Sequence, residues 1–133
     1  MTSQDWLQHF LREHGAVAGT VHRVVADDLM ELDAAVNIPP PVRAATQKIP
    51  VGKGMAGIAM AEDRWVSTCN LREDQSSAIK PGAKAVGAGA AVAFPVHDAA
   101  GKVRAVVGIA WQEERPLADD ELRALQAEGE AMP

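Results

Sequence analysis

The sequence predicts an α+β fold in which a central antiparallel β-sheet carries both terminal helices on one face. Two predicted hairpins indicate the sheet, because each consists of two strand-like runs joined by a short turn. A third observation indicates the helices, because both ends of the chain show the apolar spacing of an amphipathic helix. The length of 133 residues suits a single domain spanning residues 1–133.

A helix is predicted over Ser3 to His14, because its apolar side chains recur on one stripe. These side chains are Trp6, Leu7, Phe10 and Leu11. Thr2 or Ser3 can cap the first turn by accepting a hydrogen bond from a free backbone N–H.

The first predicted hairpin follows this helix. Ala16 to Val25 forms one strand, Asp27 and Asp28 supply the turn, and Leu29 to Asn37 returns. The returning run alternates apolar with other residues, which predicts that one face is buried: Met30, Leu32, Ala34 and Val36. The prolines at 39–41 then end the strand ladder.

The middle of the chain contains only short elements. We expect a helical turn over Val42 to Gln47, a short buried helix over Met55 to Ala61 and a short strand over Trp65 to Thr68. Asn70 to Lys84 is polar and is predicted to be a long loop.

The second hairpin is predicted from Ala90 to Val96 and from Val103 to Gln112, around a turn that ends in Gly101. Both faces of its second strand are apolar or small, so we expect it to be covered on both sides. A final helix is predicted over Ala118 to Met132, with acidic residues at its positive N-terminal end.

Composition excludes several classes of protein. The chain is 47% apolar and 23% charged, which is typical of a globular protein, and it has no apolar run long enough to span a membrane. Its net charge of −5 argues against a nucleic-acid-binding function. Cys69 is the single cysteine, so no intrachain disulfide can form. Together with the lack of a secretory signal at the N-terminus, this predicts a cytoplasmic protein.

Several strings resemble, in their order and spacing, the GAF domain family. They are Gly19 to Val24, Ile49 to Gly57, Trp65 to Leu71, Phe94 to Val103 and Arg115 to Leu122. The resemblance implies a sheet with helices on one face and, on the other, a ligand pocket closed by short helices and loops. It also implies a homodimer, which we expect to form through the outer faces of Trp6–Leu11 and Leu122–Met132.

The candidate ligand-binding residues lie in the middle of the chain and on the second hairpin. They are Met55, Trp65, Cys69, Asn70 and Phe94, with Gln75 and Lys80 as further polar groups at the pocket mouth. Core packing is the alternative for Trp65 and Phe94, because large aromatic side chains carry much of a small core. Small residues at Ala56, Ala91, Gly108 and Ala110 leave space, which is either a cavity or a close helix approach.

The glycines Gly52, Gly54 and Gly57 match the G-x-G-x-x-G pattern of dinucleotide-binding proteins. That motif requires a preceding strand within a βαβ unit, but Pro50 interrupts the run before it and the unit is absent. We therefore interpret the pattern as a tight corner that lets a small helix pack on the sheet. An anion site on the backbone N–H groups at the start of that helix is the remaining alternative.

The four histidines, His9, His14, His22 and His97, are not accompanied by other residues at zinc-ligand spacing, so no metal site is predicted. We interpret these histidines as surface or half-buried side chains. The sequence identifies no cofactor.

The sequence departs from three functional branches of the GAF family. The branch that reduces free methionine sulfoxide uses several cysteines and acidic pocket residues. Here Ala56 stands where that branch often has a cysteine, and Ala91, Gly108 and Ala110 stand where its carboxylates are expected. The cyclic-nucleotide branch has an Asn-Lys-Phe-Asp-Glu signature that this chain lacks. The tetrapyrrole branch needs a histidine after its cysteine, whereas Asn70 follows Cys69.

The sequence thus favours a non-catalytic, small-molecule-binding sensory or regulatory module that acts through dimerisation or a partner protein. The alternative is a thiol-dependent reductase resembling free methionine-(R)-sulfoxide reductase, with Cys69 as the reacting sulfur. A purely structural dimer with a collapsed pocket is the third possibility.

Overall fold

A computed structural model describes residues 1–68 and 88–133. The helices in this part of the chain are α1 (Ser3–His14), α2 (Pro40–Ala45), α3 (Gly54–Glu62) and α4 (Asp119–Gly129). The strands are β1 (Ala18–Ala26), β2 (Leu29–Val36), β3 (Lys48–Pro50), β4 (Val66–Thr68), β5 (Ala90–His97) and β6 (Val103–Trp111). Four predicted pocket residues, Cys69, Asn70, Gln75 and Lys80, lie outside the described residues.

The six strands form one antiparallel sheet in the order β3-β2-β1-β6-β5-β4. The two hairpins predicted from the sequence lie side by side, because β1 of the first pairs with β6 of the second. Strand β6 therefore occupies the centre of the sheet, as its apolar residues on both faces predict. The α+β fold with a central antiparallel sheet is confirmed.

Helix α1 has the bounds that the sequence predicts. Thr2 Oγ1 accepts a hydrogen bond from the Asp5 N–H at 3.1 Å, and Asp5 Oδ2 accepts one from the Thr2 N–H at 3.3 Å. This capping box satisfies two backbone donors at the first turn. The helix then buries its predicted apolar stripe against the sheet.

A β-bulge in β2 changes which residues face each side of the sheet. Val21 pairs with Ala34 but His22 pairs with Leu32, so Asp33 is the extra residue. Met30 therefore packs on one face, whereas Ala34 packs on the other. The sequence predicted a single alternation along β2, and the bulge explains why that prediction is wrong.

Helices α1 and α4 cover the same face of the sheet, as predicted. Their apolar side chains pack on inward residues of β5 and β6, including Val92, Phe94 and Val107. We call this layer the helix-side core. The Phe94 side chain is fully buried there, with its ring centroid 6.0 Å from that of Phe10. A Cβ atom at Gly129 would lie only 2.4 Å from Phe94 Cε2, so the glycine allows α4 to approach the ring.

The opposite face of the sheet carries α3. Buried residues of this second layer are Met30, Ala59, Val66, Ala93 and Val106. Strand β3, which the sequence analysis did not predict, pairs with β2 at the edge of the sheet. The edge position explains how Pro50 is accommodated, because an edge strand can leave one side of its backbone unpaired.

None of the helices in the described ranges is both long enough and apolar enough to cross a membrane.

Candidate functional site

A cavity of about 360 Å³ lies on the face of the sheet opposite α1 and α4. Strands β1, β5 and β6 form its floor, and α2, β3 and the start of α3 form its walls. Its volume falls in the lower part of the range of about 300–1,000 Å³ found for small-molecule sites. The cavity is therefore large enough for a compact ligand.

Small side chains create the floor of the cavity. In the sheet, Ala18, Ala110 and Ala91 lie side by side across three strands, and Gly108 lies between Thr20 and Ala93. Ala18, Ala91, Gly108 and Ala110 carry no side chain longer than a methyl group, so they leave room above the sheet. The space that these small residues were expected to leave is a cavity here, not a close helix contact.

The glycine-rich corner positions one wall of the cavity. Gly52 and Gly54 have φ values of +83° and +64°, which glycine adopts readily. A Cβ atom at Gly57 would lie 2.7 Å from the Pro50 carbonyl oxygen, so only glycine fits this close approach. The tight-corner interpretation is consistent with this geometry, and the corner brings Met55 and Ala56 to the cavity.

His22 is the most buried polar side chain of the cavity lining in the described ranges, with 2% of the residue exposed. Its Nε2 lies 2.8 Å from the backbone oxygen of Thr46, at the end of α2. Because a carbonyl oxygen can only accept, Nε2 carries the proton and donates. Burial lowers the pKa of His22, against the smaller opposing effect of the Thr46 hydrogen bond, so the ring is held neutral.

The second ring nitrogen of His22 is an acceptor without a partner. In the neutral ring Nδ1 bears a lone pair, and no described residue donates a hydrogen bond to it. A buried acceptor left unsatisfied costs about 1–3 kcal/mol. Nδ1 is itself fully buried, so it is not open to the cavity.

Two lysines supply the charge of the cavity wall. Lys48 lies on β3 and Lys53 precedes α3, and both are exposed. Among the described lining residues they are the charged side chains, and no aspartate or glutamate accompanies them. Neither lysine forms an ion pair with any residue in the described ranges.

The predicted ligand-binding residues have different outcomes. Met55 lines the cavity. Phe94 does not, and this expectation is corrected: its side chain points to the other face of the sheet, into the helix-side core. Trp65 packs against that same core and is not among the described lining residues. Cys69 and Asn70 lie outside the described residues.

The sequence predicts a surface or half-buried His22, and this prediction is wrong, because 2% of the residue is exposed. The position of His22 in β1 nevertheless indicates which face it lies on. Ala18, Thr20 and His22 alternate with Gly19 and Val21, so the small and polar residues of the strand share the cavity face.

One group of possible metal ligands occurs in the described ranges, away from the cavity. Glu13, His14 and Glu128 bring their ligand atoms within 4.8 Å of one another, where the end of α1 meets α4. Both carboxylates are exposed, and such clusters are common at protein surfaces without a metal ion.

The family model that describes the GAF domain matches residues 3–131. The chain belongs to the GAF domain family. No protein of curated function matches this GAF domain by sequence.

Solved structures with the same fold have diverse functions. Type II free methionine-R-sulfoxide reductase from Thermoplasma acidophilum is 14% identical and has a TM-score of 0.75, with 97% of this chain and 85% of that chain covered. The GAF domain of a phosphoenolpyruvate-protein phosphotransferase from Coxiella burnetii is 11% identical (TM-score 0.76; 95% and 74% covered). The A. aeolicus nlh2 GAF domain in an inactive state is 14% identical (TM-score 0.68; 95% and 76% covered). At these identities the likeness concerns the fold alone.

Proposed function

We propose that this GAF domain is a non-catalytic sensory or regulatory module that binds a small molecule in the cavity. The proposal includes signalling through a homodimer or through a partner protein, and a cytoplasmic location. The observation that carries it is the cavity of about 360 Å³, which combines an apolar floor with the polar side chains of Thr20, Lys48 and Lys53. A mostly apolar pocket with a few directed polar groups is the usual form of a small-molecule site.

The reductase alternative depends on a reactive Cys69 and on acidic groups around it. The described lining residues include no carboxylate that could act as a general acid or base beside a thiol. A replacement of Cys69 by serine tests the alternative: activity on free methionine sulfoxide that disappears in C69S would replace the binding proposal with an enzymatic one.

Ligand binding is tested by filling the cavity. Ala110 lies on the cavity floor, so Ala110→Leu would place three further carbon atoms in the space a ligand needs. Ala61→Leu is the matched control, because Ala61 is an exposed residue of α3 outside the lining. The readout is thermal unfolding with a chemically broad panel that includes cyclic nucleotides, methionine derivatives, haem and organic acids.

We expect at least one class of compound to raise the melting temperature of the wild type and of A61L, but not of A110L. A ligand present at 100 times its dissociation constant stabilises the native state by about 2.7 kcal/mol. If no compound changes the melting temperature of the wild type, the structural-dimer alternative replaces the proposed function.

A further inference from the structure

The three described walls of the cavity are attached to the rest of the molecule to different extents. Strand β3 is hydrogen-bonded to β2, and α3 packs apolar residues into the second layer of the core. Helix α2 buries none of its residues, and Pro40, Pro41, Arg43, Ala44 and Ala45 are exposed. Of these three walls, α2 is therefore the one that can move without breaking sheet pairing or opening a packed core.

The apolar side chains of this wall face the cavity and not the core. Ile38 and Val42 line the cavity, and neither packs against a cluster of buried residues in the described ranges. A side chain that borders a void has no partner atoms on that side. Lifting Ile38 and Val42 from the cavity therefore breaks few contacts, and α2 lies over the cavity as a cover.

Two anchored points limit the segment that can move. At one end Asn37 has a left-handed φ of +56°, and its Nδ2 donates to the Val17 carbonyl oxygen at 2.7 Å. At the other end the Leu32 N–H donates to the Gln47 carbonyl oxygen at 2.8 Å. Residues 38–46 lie between these points and include all of α2.

Within the described ranges, one hydrogen bond ties residues 38–46 to the sheet. His22 Nε2 donates it to the Thr46 carbonyl oxygen at 2.8 Å. The donors of Thr46 itself stay inside the segment, because its N–H and its Oγ1 both donate to the Val42 carbonyl oxygen. His22 is buried in β1, which pairs on both sides, so the donor is fixed while the acceptor lies on the part that can move.

We infer that residues 38–46 form a lid over the cavity, and that His22 is the positioning residue that holds this lid shut. Opening breaks the hydrogen bond between His22 and Thr46 and leaves β3 and α3 in place. The inference rests on the proposed function, because it adds control of access to the same site. Its test requires no ligand, so the lid and the binding function can fail separately.

A cysteine beneath the lid measures how often the lid opens. Ala18 lines the cavity on the same face of β1 as His22 and is 2% exposed, so a reagent reaches this position only when the cover moves. Ala18→Cys is made in the background of Cys69→Ser, which removes the single natural thiol. Its reaction with iodoacetamide is followed by mass spectrometry. Ala99→Cys, in the exposed turn between β5 and β6, is the matched control.

We expect A18C to react at least about ten-fold more slowly than A99C, because its reaction waits for a local opening. His22→Leu removes the donor and should speed the reaction of A18C about five-fold, as expected for the loss of one hydrogen bond. His22→Gln keeps an N–H donor near the position of Nε2 and should restore the slow reaction. The rate for A99C should be the same in all three backgrounds.

A second variant and a second measurement separate lid opening from a general loss of stability. Ala44→Gly loosens α2 at an exposed position without touching the sheet, and it should also speed the reaction of A18C. In both H22L and A44G, hydrogen exchange should accelerate at the amides of Arg43 and Thr46, since a short helix without support frays. The amides of β6 should exchange as in the wild type.

Three results would overturn the lid. One is A18C reacting as fast as A99C while His22 is present. Another is an A18C rate that neither H22L nor A44G raises, or that H22Q raises as much as H22L does. The third is exchange in β6 that accelerates as much as exchange in α2 in both variants, because the reaction would then report global unfolding.

Discussion

Gly129 illustrates how packing can reverse a rule of local propensity. In an isolated helix, alanine is more favourable than glycine by about 1 kcal/mol. In this GAF domain a Cβ atom at Gly129 would meet the ring of Phe94, which is fully buried. Local propensity alone would count this glycine as unfavourable in α4, because nothing in a linear pattern reveals the distance to Phe94.

We therefore expect Gly129→Ala to lower the free energy of unfolding by about 1–3 kcal/mol, the usual cost of overpacking a core. Urea denaturation followed by circular dichroism measures this change. In the background of Phe94→Leu, which has a smaller side chain, the same Gly129→Ala change should cost much less. An equal cost in both backgrounds, or a gain in stability, would show that the contact with Phe94 is not the cause.

The candidate site could be predicted in part at the level of residues. Met55, a predicted ligand-binding residue, lines the cavity, and its contact with a ligand stays a prediction. The small residues Ala56, Ala91, Gly108 and Ala110 predict the space. His22 was missed because its partner, the Thr46 carbonyl oxygen, is 24 residues away and its side-chain environment depends on tertiary packing. Phe94 was misassigned because β5 is buried on both faces, so alternation alone does not tell which face is the pocket.

At the level of elements, His97 connects the ends of α3, β5 and α4. Its Nε2 lies 2.5 Å from Asp63 Oδ1 just after α3, and its Nδ1 lies 3.0 Å from Glu130 Oε1 just after α4. Two carboxylates can both accept only if both ring nitrogens carry protons. The hydrogen bond to Asp63 is the largest cause that raises the pKa of His97, with Glu130 adding to it against the opposing effect of burial.

This contact should make stability depend on pH. A histidine whose pKa is raised by folding contributes its full stabilisation below its unfolded pKa of about 6.5, and loses it as the pH rises through the raised folded value. We expect His97→Gln to be less stable than the wild type at pH 5.5, with the difference shrinking towards pH 9. Because Asp63 and Glu130 are about half exposed, the largest difference should not exceed about 1 kcal/mol.

Urea denaturation at several pH values tests this dependence. His9→Gln is the matched control, because within the described ranges His9 pairs with Glu13 on the exposed side of α1. Its effect should stay within a few tenths of a kcal/mol. A stability difference for H97Q that is constant with pH, or that grows as the pH rises, would contradict the role assigned to the protonated ring.

Most elements could be predicted from the sequence, and the exceptions have physical reasons. The bounds of α1 follow from its capping box and apolar stripe, and the hairpins follow from alternation and turn residues. Strand β3 was missed because Pro50 argues against a central strand, whereas the strand lies at the sheet edge. The bulge at Asp33 leaves no mark in composition, since it is defined by pairing with β1.

At the level of the whole molecule, the homodimer stays a prediction, and the helix faces that could form its interface are mostly polar. The large apolar residues of both terminal helices are buried in the chain's own core: Trp6, Leu7, Phe10, Leu11, Leu122 and Leu125. The outer faces that remain are mostly polar, with exposed residues such as Gln8, Arg12, Arg123 and Ala124. An interface formed by such faces would be small and weak.

We expect sedimentation analysis to give an apparent mass that rises with protein concentration over the micromolar to millimolar range. Ala124→Glu, which places a charge on the outer face of α4, should reduce this rise. Ala99→Glu, in the exposed turn between β5 and β6, should leave it unchanged. A monomeric mass of about 14.1 kDa at every concentration would contradict the dimer and would favour a partner protein as the route of signalling.

The bulge at Asp33 also affects how the sequences of GAF domains should be aligned. Side chains alternate between the two faces of the sheet along β2, and the additional residue at Asp33 shifts this alternation by one. Odd and even positions before the bulge therefore face the opposite way from odd and even positions after it. An alignment of distant relatives that allows no gap at this point would match inward positions of one protein with outward positions of another. Substitution patterns in β2 become physically interpretable only when the two halves of the strand are compared separately.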